Sequence, residues 1–241
     1  MRPLSSLSAF FPVYNEEQSL EGMVTAFLKV LPGVAEWFEI LIIDDGSDDR
    51  SGWLADALAK QHDQVRVVHH PHRLGYGSAL RSGLAHSRGD FIFFTDGDQQ
   101  FDIADIGRLL PYVYDYDLII GYRMVRSDHL GRRLNSLLWN WLVRQLFHLR
   151  LRDINCAFKL IRRGAIESIP LGSTVQAISA ELLAKAHRAG LSIKEIAVPH
   201  YPRRSGKPTG AQLRVIAHAF VELARLYREL NRHPIQTAQK S

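Results

Sequence analysis

Phe91-Ile92-Phe93-Phe94-Thr95-Asp96-Gly97-Asp98-Gln99-Gln100 is a continuous apolar run that breaks, within two residues, into a loop carrying two carboxylates on either side of a glycine. Four large apolar residues followed by turn formers read as a strand covered on both faces. The same pattern stands upstream, where LSAFFPV (7–13) opens into Tyr14-Asn15-Glu16-Glu17, and FEILIID (38–44) into Asp45-Gly46-Ser47-Asp48-Asp49. VRVVHH (65–70) and DLIIGY (117–122) are further strands. Between them, apolar residues recur at helical spacing from about Glu16 to Val30, Ser51 to Lys60, Ser78 to Ala85 and Ile103 to Val113. Strands alternating with helices predict an α/β sandwich with a mostly parallel central sheet flanked by helices.

The chain has 241 residues, 46% hydrophobic, which excludes a disordered chain and leaves room for a sizeable core. A single cysteine, Cys156, excludes a disulfide scaffold and a Cys-rich zinc site. One domain is expected, over residues 1–210, followed by an amphipathic helix over 211–231 and a frayed tail over 232–241. The helix carries Leu213, Ile216, Phe220, Leu223, Tyr227 and Leu230 at alternating spacings of three and four. No stretch approaches the roughly 18 apolar residues of a membrane span, and no signal-peptide core develops, so an intracellular chain starting near Met1 is expected. Charge is unevenly placed. Residues 1–122 hold 9 basic and 18 acidic residues, 123–163 hold 10 and 2, and 164–241 hold 11 and 5. An acidic half followed by a basic half predicts a cation site first and anionic partners second.

In open α/β sheets ligands sit beyond the carboxyl ends of the strands, and here three strands end in polar, acidic loops. Asp96 and Asp98 flank Gly97 and can turn toward one point; hard oxygen ligands of this kind suit Mg²⁺ or Mn²⁺ carrying a diphosphate. A lone Asp-Gly-Asp is ordinarily a solvated turn, and it is the convergence of three such loops that raises the reading. Gly75-Tyr76-Gly77-Ser78-Ala79-Leu80 lacks the third glycine of a dinucleotide fingerprint, and no Walker lysine follows a glycine-rich loop. His69, His70 and His72 lack a fourth ligand pattern for zinc. Cys156 reads as a small buried residue.

With these motifs in order, the sequence resembles a family 2 glycosyltransferase of the GT-A nucleotide-diphospho-sugar transferase fold, and within it the dolichyl- or polyprenyl-phosphate sugar synthases. The resemblance covers nearly the whole chain. Pro12-Val13-Tyr14-Asn15-Glu16-Glu17 is similar to the family's nucleotide-binding entry, and Asp45 to the aspartate that meets the nucleoside. Gly75 opens a segment like the family's Gly-x-Gly-x-Ala. The resemblance implies a metal at Asp96, Asp98 and Gln100, a nucleotide sugar at Pro12, Tyr14, Asn15, Glu16, Asp45, Gly75 and Asp96, and catalytic roles for Asp98, Arg123, Arg132 and Arg203. Gly121-Tyr122-Arg123 resembles Gly-Ser-Arg, Arg132 with Ser136 resembles Arg-x-x-x-Ser, and Asp153-Ile154-Asn155-Cys156-Ala157-Phe158-Lys159 the Asp-x-x-Cys-x-Phe-Lys segment. Arg203 and Gly206 fit a closing Arg-x-x-Gly.

What this implies is inverting, metal-assisted transfer of a hexose from a UDP- or GDP-sugar to a polyprenyl or dolichyl phosphate. The acceptor agrees with the charge distribution, since a lipid phosphate is already an anionic nucleophile and needs cations rather than a general base. Leu134–Leu151, rich in Leu and Trp between arginines, is either an interfacial helix on the membrane surface or a core helix. Location on the cytoplasmic face, with a membrane-embedded partner protein or a homodimer, is expected from the same resemblance. Two alternatives weigh less. A saccharide-extending family 2 enzyme calls for an added catalytic carboxylate, for which Glu181 is the first candidate although a structural carboxylate is the better reading, and its processive members carry a Gln-x-x-Arg-Trp motif that is absent. Nucleic acid is not expected as a partner despite a pI near 9.4, because no recognition motif is present.

Overall fold

The computed structural model describes residues 2–124, 130–175, 177–202 and 213–232, with backbone alone at 130–136 and 213–217. Among the described residues seven strands form one sheet: β1 (Leu4–Val13), β2 (Ala35–Asp44), β3 (Val65–His69), β4 (Phe91–Phe94), β5 (Leu118–Arg123), β6 (Lys159–Arg162) and β7 (Ile193–Val198), in the order β3-β2-β1-β4-β6-β5-β7. Only β6 runs against its neighbours, pairing antiparallel with β4 and β5. Every other strand therefore ends at one edge of the sheet, and the start of β6 joins them there. The sequence order reverses between β1 and β4, which is where an open α/β sheet leaves a crevice beyond its carboxyl ends.

Alternation along the strands explains the two layers. Ala9, Phe11, Ile40, Ile42 and Phe93 pack on one face against α1 (Leu20–Val30) and α2 (Ser51–Gln61). Phe10, Leu41, Ile43, Ile92 and Phe94 face the other way, against α3 (Tyr76–His86), α4 (Leu130–Phe147), α6 (Ala177–Arg188) and α7 (Leu213–Arg232). The short helix α5 (Arg163–Ile166) follows β6. Aromatic contacts fill the layers: Phe10 stacks on Phe94 at 5.3 Å, and Phe93 meets Phe158 edge-on at 4.8 Å.

Two local expectations are corrected. The helix expected over Ile103–Val113 is two 3₁₀ segments, Ile103–Arg108 and Leu110–Tyr112. Gly107 weakens a helix there and Pro111 removes a backbone donor, so short turns replace a continuous ladder. The first helix begins at Leu20 rather than Glu16, because the Glu16 carbonyl closes a turn by accepting from the Ser19 and Leu20 amides. The C-terminal helix extends through Arg232, and the tail beyond it lies outside the described residues.

The inward face of α7 is also turned from the one its spacing predicts. Ala219, Glu222, Leu223, Leu226 and Leu230 are buried, whereas Phe220 and Tyr227 stay exposed at the flank. Phe220 meets Trp139 edge-on at 5.5 Å and Tyr227 meets Phe147 at 6.3 Å, so α4 and α7 lie side by side and run in the same direction. Asn140, Val143 and Phe147 bury one face of α4, leaving Leu137, Leu138 and Trp141 exposed. The core-helix reading thus holds for one face of this stretch, while Leu137, Leu138 and Trp141 remain exposed.

Candidate active site

Asp96 and Asp98 follow β4 directly, at the switch point between β1 and β4. A Cβ on Gly97 would lie 2.8 Å from the Pro12 carbonyl oxygen, so only glycine lets this loop cross the end of β1 so closely. The Tyr76 hydroxyl donates to Asp96 Oδ1 at 3.0 Å, and the Gln100 amide donates to Asp98 Oδ1 at 3.1 Å. Burial, followed by the neighbouring Asp98 charge, pushes the Asp96 carboxyl up to about 6. Burial and then the Asp96 charge raise the Tyr76 phenol well above its ordinary value, so it remains a donor. Two carboxylates that repel each other at the end of a strand are a fitting pair for a divalent cation. Gln100 meets Asp98 through its backbone amide, and its side-chain nitrogen donates to the Tyr201 carbonyl. Among the described residues no group of three or more His, Cys, Asp or Glu side chains is placed to hold a metal ion.

The nucleotide-side residues converge on the ends of β1 and β2. Asn15 adopts φ +57°, and its Oδ1 accepts from the Asp48 amide at 2.8 Å and the Asp49 amide at 3.4 Å. Ser47 Oγ and Ser51 Oγ accept from the Asn15 and Glu16 amides, and the Ser19 hydroxyl donates to Glu16 Oε2 at 2.9 Å. The loops after β1 and β2 are thus laced together. Tyr14 donates to Asp48 Oδ2 at 3.0 Å, and Arg73 lies over its ring at 4.1 Å.

Asp45 is engaged on several sides. Its Oδ1 accepts from the Leu74 amide at 2.9 Å and pairs with His70 Nδ1 at 2.7 Å, and its Oδ2 accepts from the Gly75 amide at 2.9 Å. His70 Nε2 pairs with Ser82 Oγ at 2.8 Å, fixing the ring against α3. Asp45 therefore shapes the turn in which Gly75 takes φ +98°. His69 bridges Asp44 and Asp56. His69 and His70 are thus held by carboxylates, Asp44 and Asp45 at the end of β2 and Asp56 within α2.

On the other side of Asp96, β5 ends in Arg123, whose Nε and Nη2 donate to Asp153 Oδ2 at 2.7 Å and Oδ1 at 2.9 Å. This two-pronged pair fixes the direction of the guanidinium. Glu195 accepts from the Arg152 and Asp153 amides and holds that segment in place. Lys159 is fully buried beneath the loop, donates to the Cys156 carbonyl, and lies 5.4 Å from the Phe94 ring centre. Burial lowers its pKa. Gln100 donates to the Tyr201 carbonyl at 3.1 Å and accepts from the Tyr201 amide through its own carbonyl, tying the segment after β7 to this edge. Arg132 falls in α4 where backbone alone is described, and Arg203 lies outside the described residues.

Sequence reading assigned no role to Tyr76, His70, Arg73 or Asp153. Tyr76, between two motif glycines, and Asp153, heading the Asp-x-x-Cys segment, carried a signal; the pairings of His70 and Arg73 depend on the fold. Glu181 is structural, since it accepts from the Gly172 and Ser173 amides and from Lys185. Burial raises the Cys156 thiol to about 12. Native protein at pH 8 is therefore expected to resist a thiol reagent such as iodoacetamide and to react only on unfolding; rapid stoichiometric labelling would contradict the buried assignment.

The sequence profile described as Glycosyl transferase family 2 matches residues 8–169. Glycosyltransferase AglD of Haloferax volcanii is 31% identical over 211 residues, 83% of this chain and 34% of that protein. Dodecaprenyl-phosphate galacturonate synthase of Rhizobium johnstonii is 28% identical over 206 residues, 83% of this chain and 60% of that protein. The chain thus spans between one-third and three-fifths of the length of these two relatives. Among solved structures, glucosyl-3-phosphoglycerate synthase from Mycobacterium tuberculosis, in complex with Mn²⁺, uridine diphosphate and glucosyl-3-phosphoglycerate, superposes with a TM-score of 0.67 at 22% identity, over 95% of this chain and 80% of that one. That likeness is one of fold.

Proposed function

The chain belongs to glycosyl transferase family 2, and from that premise we propose that it moves a hexose from a UDP- or GDP-sugar onto a polyprenyl phosphate, with inversion and with Mg²⁺ or Mn²⁺. The observation that carries this reading is the juxtaposition at one sheet edge of a repelling Asp96–Asp98 pair with the Asp153-held guanidinium of Arg123. One half of the crevice calls for a cation, and the other presents one to an anion.

In this reading Pro12, Tyr14, Asn15, Glu16, Asp45 and Gly75 form the nucleoside and diphosphate side. Asp96, Asp98 and Gln100 would hold the metal, which would supply positive charge to the departing diphosphate. Arg123, Arg132 and Arg203 hold phosphates on the acceptor side. An oxygen of the lipid phosphate attacks the anomeric carbon from the face opposite the nucleotide, the bond from that carbon to the diphosphate breaks, and nucleoside diphosphate leaves with the electron pair. No proton need be removed from the nucleophile, which accords with the structural role of Glu181.

A lipid acceptor places the protein at a membrane surface. Among the described residues no helix is long and apolar enough to cross a membrane. Leu137, Leu138 and Trp141 of α4 and Phe220 and Val221 of α7 are exposed on neighbouring parallel helices, a surface suited to lying in the headgroup region. The cytoplasmic face is proposed, as is a homodimer or a membrane-embedded partner.

The test is transfer from UDP- and GDP-sugars to a short polyprenyl phosphate with Mn²⁺, followed by NMR of the anomeric proton. A lipid-linked sugar of inverted configuration is expected. Metal-dependent nucleotide binding with transfer only to a saccharide would overturn the acceptor, and a retained configuration would overturn the stereochemistry.

A further inference from the structure

The glycines at 75 and 77 pack against a piece of chain nearly a hundred residues away. A Cβ on Gly75 would lie 2.6 Å from the Thr174 carbonyl oxygen, and one on Gly77 would lie 2.5 Å from the Ser173 carbonyl oxygen. The Gly77 amide donates to the Thr174 carbonyl at 2.9 Å. The turn that begins α3 is therefore seated on the 172–175 loop. That turn is also the one whose Leu74 and Gly75 amides hold Asp45, and whose Tyr76 hydroxyl reaches Asp96.

What holds Thr174 comes from the C-terminal helix. Glu222 Oε1 accepts from the Thr174 amide at 2.9 Å and from its hydroxyl at 2.9 Å. Glu222 lies on the buried face of α7 between Ala219, Leu223 and Leu226, where an apolar side chain would pack without the cost of removing a carboxylate from water. Its Oε2 is buried and makes no hydrogen bond among the described residues, and the exposed His218 ring approaches Oε1 only to 3.7 Å. The contact the carboxylate serves is thus Thr174. The start of the same loop is fixed separately: Glu181 holds the Gly172 and Ser173 amides, and Lys185 joins Glu181 to Glu229 of α7 and to the Pro170 carbonyl.

We infer that Glu222 is a positioning residue for the nucleotide-sugar site, holding the Gly75–Gly77 turn through Thr174 and so coupling α7 to the placement of Tyr76 and Asp96. The coupling itself is read from the hydrogen bonds; that the turn serves a nucleotide sugar rests on the proposed function.

Two measurements separate the parts. In Glu222→Ala, hydrogen exchange at the Thr174 and Gly77 amides is expected to rise about tenfold, with exchange in the β1 and β2 cores unchanged, and Glu222→Gln, which keeps the acceptor oxygen, should restore it. Should Glu222→Ala fail to fold, Thr174→Val removes the hydroxyl donor and keeps the side-chain shape, with a smaller rise at the same amides. Titration of UDP and GDP with Mn²⁺ by calorimetry then asks whether Glu222→Ala weakens nucleotide binding about tenfold, again rescued by Gln. Unchanged exchange at Gly77, or a rise spread evenly over the core, overturns the coupling. Faster local exchange with unchanged nucleotide affinity overturns the positioning role. Wild-type protein that binds neither nucleotide overturns the transferase reading, while the exchange pattern still decides the coupling.

Discussion

Asp98→Asn is expected to lower sugar transfer about a thousandfold while leaving the protein folded and, without metal, at least as stable as the wild type. The side chain is buried and isosteric with asparagine, so packing is preserved. What is lost is one of the two carboxylates proposed to share a divalent cation. What is gained in the metal-free protein is relief of repulsion on Asp96. The sign of the pH effect follows. A carboxyl whose folded pKa stands at about 6 binds its proton more tightly in the folded than in the unfolded chain. Its contribution is therefore fully present below the ordinary carboxylate range and is lost as the pH rises toward about 6. In Asp98→Asn the part of that rise due to the Asp98 charge is removed while burial, the larger cause, stays, so the loss should shrink without vanishing. Melting curves between pH 4 and 7 without metal, beside transfer assays with Mn²⁺, check both halves. Full activity in the variant would remove Asp98 from the metal site.

Gly77→Ala is expected to cost about 3 kcal/mol of stability and most of the activity. The added methyl would meet the Ser173 oxygen at 2.5 Å, the Thr174 carbonyl carbon at 2.7 Å and the Val175 oxygen at 2.8 Å, all backbone atoms. None can rotate aside as a side chain would, and the 172–175 loop is pinned by Glu181 and Glu222. Elsewhere in an α-helix alanine is the better residue, so propensity alone predicts the opposite sign. Urea denaturation should show a lower midpoint with an unchanged slope. A wild-type midpoint would mean that the loop yields freely and that the close approach carries no energy.

The fold was largely legible because burial on both faces leaves a plain mark in sequence. FEILIID and FIFFTD can be satisfied only as covered strands, and the acidic loops after them stand out because nothing apolar competes there. Weak patterns misled. The Ile103–Val113 spacing is helical, yet Gly107 and Pro111 divide it into 3₁₀ turns. The spacing of α7 marks Phe220 and Tyr227 as inward, whereas the buried stripe is Ala219, Leu223, Leu226 and Leu230, a second apolar seam of similar spacing, and Glu222 beside it is held by Thr174.

The sequence by itself determined the layer order, the strand ends where chemistry gathers, the acidic pair at 96 and 98, and the family to which the chain belongs. The first three are local properties, written in short runs of residues and in the convergence of three loops, while the family rests on the resemblance of several motifs taken in order. Tertiary structure alone decided that Asp45 and His70 brace the Gly75 turn, that Asp153 aims Arg123, and that the C-terminal helix reaches the same turn through Thr174. Those pairings join residues 25 to 48 positions apart, and the glycine turn meets a loop nearly a hundred residues further on. Hydrogen bonds and close approaches depend on distance in space, which a linear spacing does not encode until the sheet has brought its ends together.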